Sequence, residues 1–156
     1  MECRERMEQY FRENDVSFEV LKHDQAYTMQ EAAAALHVSG RQVAKVVIVK
    51  ADGGMAMLVI PAPDRVNLDH VRAALGTKKV RLAKENEFAS LFPDCAPGAM
   101  PPFGNLYDVP VYVDQALADQ EHIIFRVGTH RHTMRIAYAA FERLAQPTVA
   151  NFAYLV

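Results

Sequence analysis

The chain has 156 residues, 51% of them hydrophobic and 23% charged, with a formal net charge of −2. These values describe an ordinary folded globule of single-domain length and exclude a strongly basic nucleic-acid coat, leaving room for local basic patches. Two cysteines, Cys3 and Cys95, are too few for a disulfide scaffold, while the charged opening "MECRERMEQYF" lacks a signal-peptide core and no apolar run approaches membrane-spanning length. A cytoplasmic protein that does not engage membranes is expected.

Cys3, Met7, Tyr10 and Phe11 share one face at helical spacing, and in the following "DVSFEVLKH" Val16, Phe18 and Val20 alternate as a strand. Thr28 opens a further helix, with Glu31 in capping-box position and Met29, Ala32, Ala33 and Leu36 along its apolar stripe. "RQVAKVVIV" and "MAMLVIP" read as two strands joined through "ADGG", a strong hairpin signal. A short helix carrying Leu68, Val71 and Leu75 ends at Gly76, and another carrying Phe88, Leu91 and Phe92 stops before Pro93. "VPVYV", "HIIFRV" and "TMRIAY" are strands, the last two joined through "GTHRH", and "AAFERLA" is a final helix. No repeat, low-complexity tract or linker divides the chain. Residues 1–156 therefore read as one compact domain of the α+β class, with a mixed, mostly antiparallel, barrel-like sheet flanked by helices.

One loop stands out. "APGAMPPFGN", Ala96 to Asn105, holds three of the eight prolines and two of the seven glycines and no charge. Proline fixes φ and glycine frees it, so this is a loop held in one shape whose working groups are its own backbone. Lys45 raises a second question, because period two places it on the strand face of Val43, Val47 and Val49. Such a lysine either snorkels to water or sets its ammonium at a pocket mouth against a phosphate or carbonyl oxygen, and the pattern leaves both open.

Other chemistry has less support. His130 and His132 lie in a turn without matching Cys or acidic ligands, and H-E-x-x-H is absent, so no metal and no cofactor are expected. Cys95 would be a nucleophile if His122 or His130 approached it in space; an inert thiol is the simpler reading. The P-loop, G-x-G-x-x-G and G-x-S-x-G motifs are missing. Asp114 reads as a cap on the turn it precedes rather than as a general base. Basic residues group as Arg41, Lys45 and Lys50; as Lys78, Lys79, Arg81 and Lys84; and as Arg126, Arg131 and Arg135. Folded around one cleft they would grip a few phosphates, the footprint of a nucleic-acid end.

Lys45 in "VAKVVIV", then "GAMPPFG", "VPVYVD" and "IIFRVGTH", in that order, resembles the YbaK/prolyl-tRNA synthetase-associated domain family over about Val20 to Leu144. The resemblance implies a compact α+β domain around a barrel-like sheet that hydrolyses amino acids from mischarged tRNA. It implies catalytic roles for Lys45, Gly98 and Pro102 (the last two from a G-x-x-x-P loop). It implies substrate-binding roles for Ala99, Met100, Pro101, Phe103, Gly104, Gly128 and Thr129. The partners implied are the acceptor end of an aminoacyl-tRNA and an aminoacyl-tRNA synthetase. Pro101 departs from the small polar residue of many members, which bears on pocket size. A non-catalytic tRNA- or synthetase-binding module of the same fold is the alternative, and a hydrolase using Cys95 or a carboxylate is the third.

Overall fold

The computed structural model describes residues 2–22 and 39–155. The expected helix opening at Thr28 lies outside the described residues. The chain starts with helix α1 (Cys3–Glu13), which buries Cys3, Met7 and Phe11, and strand β1 (Glu19–Lys22). Val16 and Phe18 were expected inside that strand; pairing begins only at Glu19, opposite Arg135.

The hairpin lies where "ADGG" placed it. β2 (Ala44–Ala51) and β3 (Gly54–Pro61) pair antiparallel from Ala44 opposite Pro61 to Ala51 opposite Gly54. Asp52 and Gly53 both take positive φ, 45° and 85°, the conformation whose twist matches the flanking strands. β4 (Asp64–Val66) follows, then α2 (Leu68–Leu75), capped by the Asn67 side chain and ended by Gly76 at φ 68°. After β5 (Val80–Leu82), the expected helix around Phe88 is only α3 (Glu85–Phe88), tightening into a 3₁₀ turn over Ala89–Leu91. The remaining elements are β6 (Val111–Asp114), α4 (Gln115–Ala118), β7 (His122–Arg126), β8 (His132–Ala137), α5 (Tyr138–Ala145), β9 (Thr148–Ala150) and β10 (Ala153–Leu155).

The strands form a five-stranded sheet ordered β5-β2-β3-β6-β9, a three-stranded sheet β1-β8-β7 and the pair β10-β4. Pairing is mostly antiparallel, with β3-β6 and β6-β9 parallel. The sheets do not close into a barrel: among the described residues, the two larger ones meet at a single bridge, Val43 to Ile124.

Two cores follow from strand alternation. Ala44 and Ile48 of β2 and Met57 and Val59 of β3 face a large core completed by Met7, Phe11, Phe103, Phe125 and Phe141. Val49, Ala56, Leu58 and Ile60 face a smaller one with Val71 and Phe152. β3 is thus covered on both sides, which explains its unbroken apolar run. Each fully buried large side chain here contributes about 1.5–3 kcal/mol. No described helix is long and apolar enough to cross a membrane.

Candidate functional site

The loop at Ala96–Asn105 begins with a β-turn. Ala99 N–H donates to Ala96 O at 2.9 Å, with Pro97 and Gly98 in the central positions and Gly98 at φ 82°. Proline followed by a positive-φ glycine is what a type II turn requires. Two further bonds of 2.8 Å, Ala96 N–H to Gly128 O and Gly128 N–H to Ala99 O, clamp the turn to the residue two beyond β7. Gly128 is itself at φ 85°, and a methyl group there would come within 2.8 Å of Cys3 Cβ. The two glycines therefore differ: Gly128 is a packing necessity beneath α1, whereas Gly98 is exposed and its nearest neighbour is the His130 ring. His130 Nε2 lies 3.0 Å from Pro97 O, so that nitrogen carries the proton and donates.

Beyond the turn the loop dives inward. Ala99, Met100, Pro101, Pro102, Phe103 and Gly104 are all buried. Phe103 N–H donates to Pro101 O at 2.8 Å, a tight three-residue turn with Pro102 at its centre. The Phe103 ring is enclosed by Phe11, Phe141, Tyr10 and Phe125 at centroid distances of 5.4, 5.5, 6.0 and 6.0 Å. A methyl on Gly104 would meet Val109 O at 2.7 Å. Among the described residues, no acceptor takes the N–H of Gly98 or of Met100. Thr129 is exposed, its hydroxyl 2.7 Å from His132 Nδ1.

Lys45 sits near the start of β2 on the smaller core's face. Its Nζ donates to Asp64 O at 2.6 Å, and the Asp64 carboxylate, almost fully buried, pairs with Arg41. Burial pushes the Lys45 ammonium below its ordinary value, against the opposing pull of Asp64, with Arg65 adding slightly to the lowering. Among the described residues, no hydrogen bond or ion pair joins Lys45 to the Gly98 loop.

The basic groups sort differently from their sequence order. Arg41 and Lys45 gather at Asp64, whereas Lys50 joins Arg72, Lys78, Lys79 and Arg81 around a separate groove. There Arg81 and Lys50 pair with Glu87 and Arg72 with Asp69, leaving Lys78 and Lys79 without an ion pair among the described residues. Arg126 and Arg135 share one face of β7-β8 by register. Asp114 is a cap: its carboxylate accepts from Ala116 N–H at 3.0 Å and from Phe152 and Ala153 N–H at 2.9 Å each. Cys95 contacts Cys3, Tyr107 and Asp94, and no histidine among the described residues. The thiols of Cys3 and Cys95 and the Asp94 carboxylate crowd closely enough to be considered as metal ligands. Sequence reasoning missed the His130–Pro97 contact, although "APGA" carried the turn signal, and the Arg41–Asp64 pair that frames Lys45.

Residues 23–144 match the family model described as an aminoacyl-tRNA editing domain. The chain belongs to that family. A relative is the proline–tRNA ligase of Shouchella clausii (strain KSM-K16), 31% identical over 99 residues that are 64% of this chain and 17% of the ligase. The chain thus spans about a sixth of the length of that curated relative. Among solved structures, a candidate trans-editing enzyme for prolyl tRNA synthetase shares the fold at TM-score 0.85 and 21% identity, covering 97% of both chains. A hypothetical protein aligns at TM-score 0.84 and 25% identity, over 95% of this chain and 99% of its own.

Proposed function

We propose that this editing domain hydrolyses the ester of mischarged aminoacyl-tRNA in trans. The observation that carries the proposal is the backbone at Gly98 and Met100, whose N–H groups have no acceptor among the described residues in a turn clamped by three hydrogen bonds. An aminoacyl ester is already reactive, and what its hydrolysis needs most is orientation and donors aimed at the developing oxyanion. Gly98, without a side chain, lets the ester carbonyl come close to those donors. Pro97 and Pro102 hold the chain direction on either side, and Phe103 anchors the loop in the aromatic core. In this reading Ala99, Pro101, Gly104 and Gly128 act through the backbone they position rather than through contact with the amino acid. Thr129, exposed at the rim, touches the substrate directly.

Lys45 enters through its family match and its desolvated ammonium. One of its three protons is committed to Asp64 O, and the other two are available for a substrate phosphate or carbonyl oxygen. No side-chain triad is invoked; the terminal ribose hydroxyl of the tRNA, as the family resemblance implies, positions or activates the water. The acceptor end is the partner, and a synthetase supplies the tRNA selectivity that a chain of net charge −2 lacks.

The test is deacylation of a panel of tRNAs mischarged with small amino acids. The full chain should release at least one of them, and Lys45→Ala should be roughly ten- to a hundredfold slower, the loss expected for one charge-assisted contact worth about 1.5–3 kcal/mol. Binding of the acceptor end without turnover of any ester would instead establish the non-catalytic module. Near-wild-type turnover in a folded Lys45→Ala protein would return that lysine to the role of a surface side chain.

A further inference from the structure

Both cysteines of the chain meet beneath the Gly98 loop, although they are separated by 92 residues. Cys3 opens α1, Cys95 enters the loop, and their sulfurs lie 2.7 Å apart. The backbone holds them there: Cys3 N–H donates to Asp94 O at 3.3 Å, and Ala96 N–H donates to the carbonyl of Gly128, the residue packed against Cys3. We infer that Cys3 and Cys95 are a thiol modification site, which a hydroperoxide converts reversibly to an intramolecular disulfide that staples α1 to the root of the Gly98 loop.

The two thiols are not equivalent. Cys95 is half-buried, whereas Cys3 is 1% exposed. The contact with Cys3, helped by the Tyr107 hydroxyl, favours the Cys95 thiolate against the opposing effect of burial, while that contact and burial both hold Cys3 protonated. Tyr107 itself stays neutral, mainly through burial, and its ring lies under the Arg6 guanidinium. Asp94 opposes the thiolate, and its charge is partly offset by Arg6 Nη1 at 3.8 Å. The less buried cysteine is thus the nucleophilic one, and the enclosed cysteine is placed to resolve it.

The chemistry closes in two steps. The Cys95 thiolate attacks the outer oxygen of the hydroperoxide, the O–O bond breaks, and the alcohol leaves with the proton that Cys95 lost, giving a sulfenic acid. Cys3 sulfur then attacks Cys95 sulfur, the S–O bond breaks, and hydroxide takes the Cys3 proton and departs as water. The two sulfurs together lose two electrons and the peroxide gains them. A dithiol reductant reverses the bond by exchange.

The experiment treats the reduced full-length chain with one equivalent of hydrogen peroxide. The expected product is a monomer lighter by two hydrogens, with both thiols silent to a thiol reagent and both restored by dithiothreitol. Because the bond closes a long loop, the melting temperature of the oxidised chain should rise by roughly 5–15 °C. Cys3→Ser should stop at a sulfenic acid on Cys95 that dimedone traps, and Cys95→Ser should leave Cys3 unoxidised. The wild-type result stands even if a variant folds poorly. Addition of two oxygens to Cys95 without loss of two hydrogens, a disulfide-linked dimer, or two thiols that stay reactive would each overturn the inference. So would tight binding of Zn²⁺ alone that both serine variants abolish, since the cluster would then be a metal site.

Discussion

Gly98→Ala separates a backbone-donor site from a structural clamp. An alanine at φ 82° costs about 1–2 kcal/mol for left-handed backbone. Its methyl would stand 3.3 Å from His130 Cε1, so the ring must give by a few tenths of an ångström at the expense of its bond to Pro97 O. That bond is worth about 0.5–1.5 kcal/mol net. Together these make a loss of roughly 1.5–3.5 kcal/mol, or a fall of about 3–14 °C in melting temperature for a domain this size. A protein with ordinary stability of about 5–15 kcal/mol stays folded through such a loss. Turnover should suffer far more. If the methyl blocks the ester or turns the N–H donors aside, the rate drops on the order of 10²–10³, the scale of one lost oxyanion donor. Melting and single-turnover deacylation are measured on the same preparation. Adding His130→Ala to Gly98→Ala should lower the melting temperature little further, because the bond from His130 to Pro97 O is already the one given up, and should restore none of the rate, while Pro102→Ala, which loosens the loop without filling the site, should be milder than either. A folded Gly98→Ala protein with full turnover would refute the backbone-site reasoning.

Asp114→Ala removes the acceptor of three backbone N–H groups, two of them at the entry to the last described strand, and should cost about 2–5 kcal/mol in chemical denaturation, with Asp114→Asn losing less. The Arg81 guanidinium, then the Lys84 N–H, hold the Glu87 carboxyl at about 2, below its ordinary 4.5. Its contribution to stability is therefore whole above pH 4.5 and lost as pH falls toward 2, so Glu87→Gln should flatten that part of an acid melting curve; an unchanged acid limb would contradict the pairing. Binding of the isolated chain to tRNA should be weak and should fall with salt on a logarithmic slope reflecting about 2–4 phosphates, and tight, salt-insensitive binding would contradict the local-patch reading.

The parts of the fold that were legible in the sequence are those whose residues decide their own conformation. Asp52-Gly53 selects its turn, Gly76 ends α2, and the stripe of Met7 and Phe11 makes α1. β4, β5, β9 and β10 have three residues each and exist because a partner lies alongside; Val80–Leu82, with two exposed residues, has no period of its own to read. The helix expected around Phe88 tightened into a 3₁₀ turn, and the barrel-like outline stays open where, among the described residues, one bridge links the two larger sheets. At the site, the stiffness of Ala96–Asn105 was readable from its prolines. The clamp between that loop and Gly128 was not, because it consists of backbone bonds between segments far apart in the chain. The same holds for Lys45: alternation gave its face, whereas its anchor, Asp64 O, comes from a strand too short to announce itself.

The pairing of β10 with β4 makes the end of the described chain part of a mechanical train. Leu155 lies opposite Asp64, and Ala153 opposite Val66. Asp114 grips Phe152 and Ala153, so β6, the closing strand, β4 and the lysine that leans on Asp64 O are linked in series by hydrogen bonds. Force applied behind Leu155, by a fused partner or a surface tether, runs through that series and reaches the Lys45 ammonium without crossing the large core. A tether on the exposed side of α1 bypasses it. Immobilisation through these two positions would thus handle the same domain in different ways, one tugging on a charged group and the other leaving it at rest.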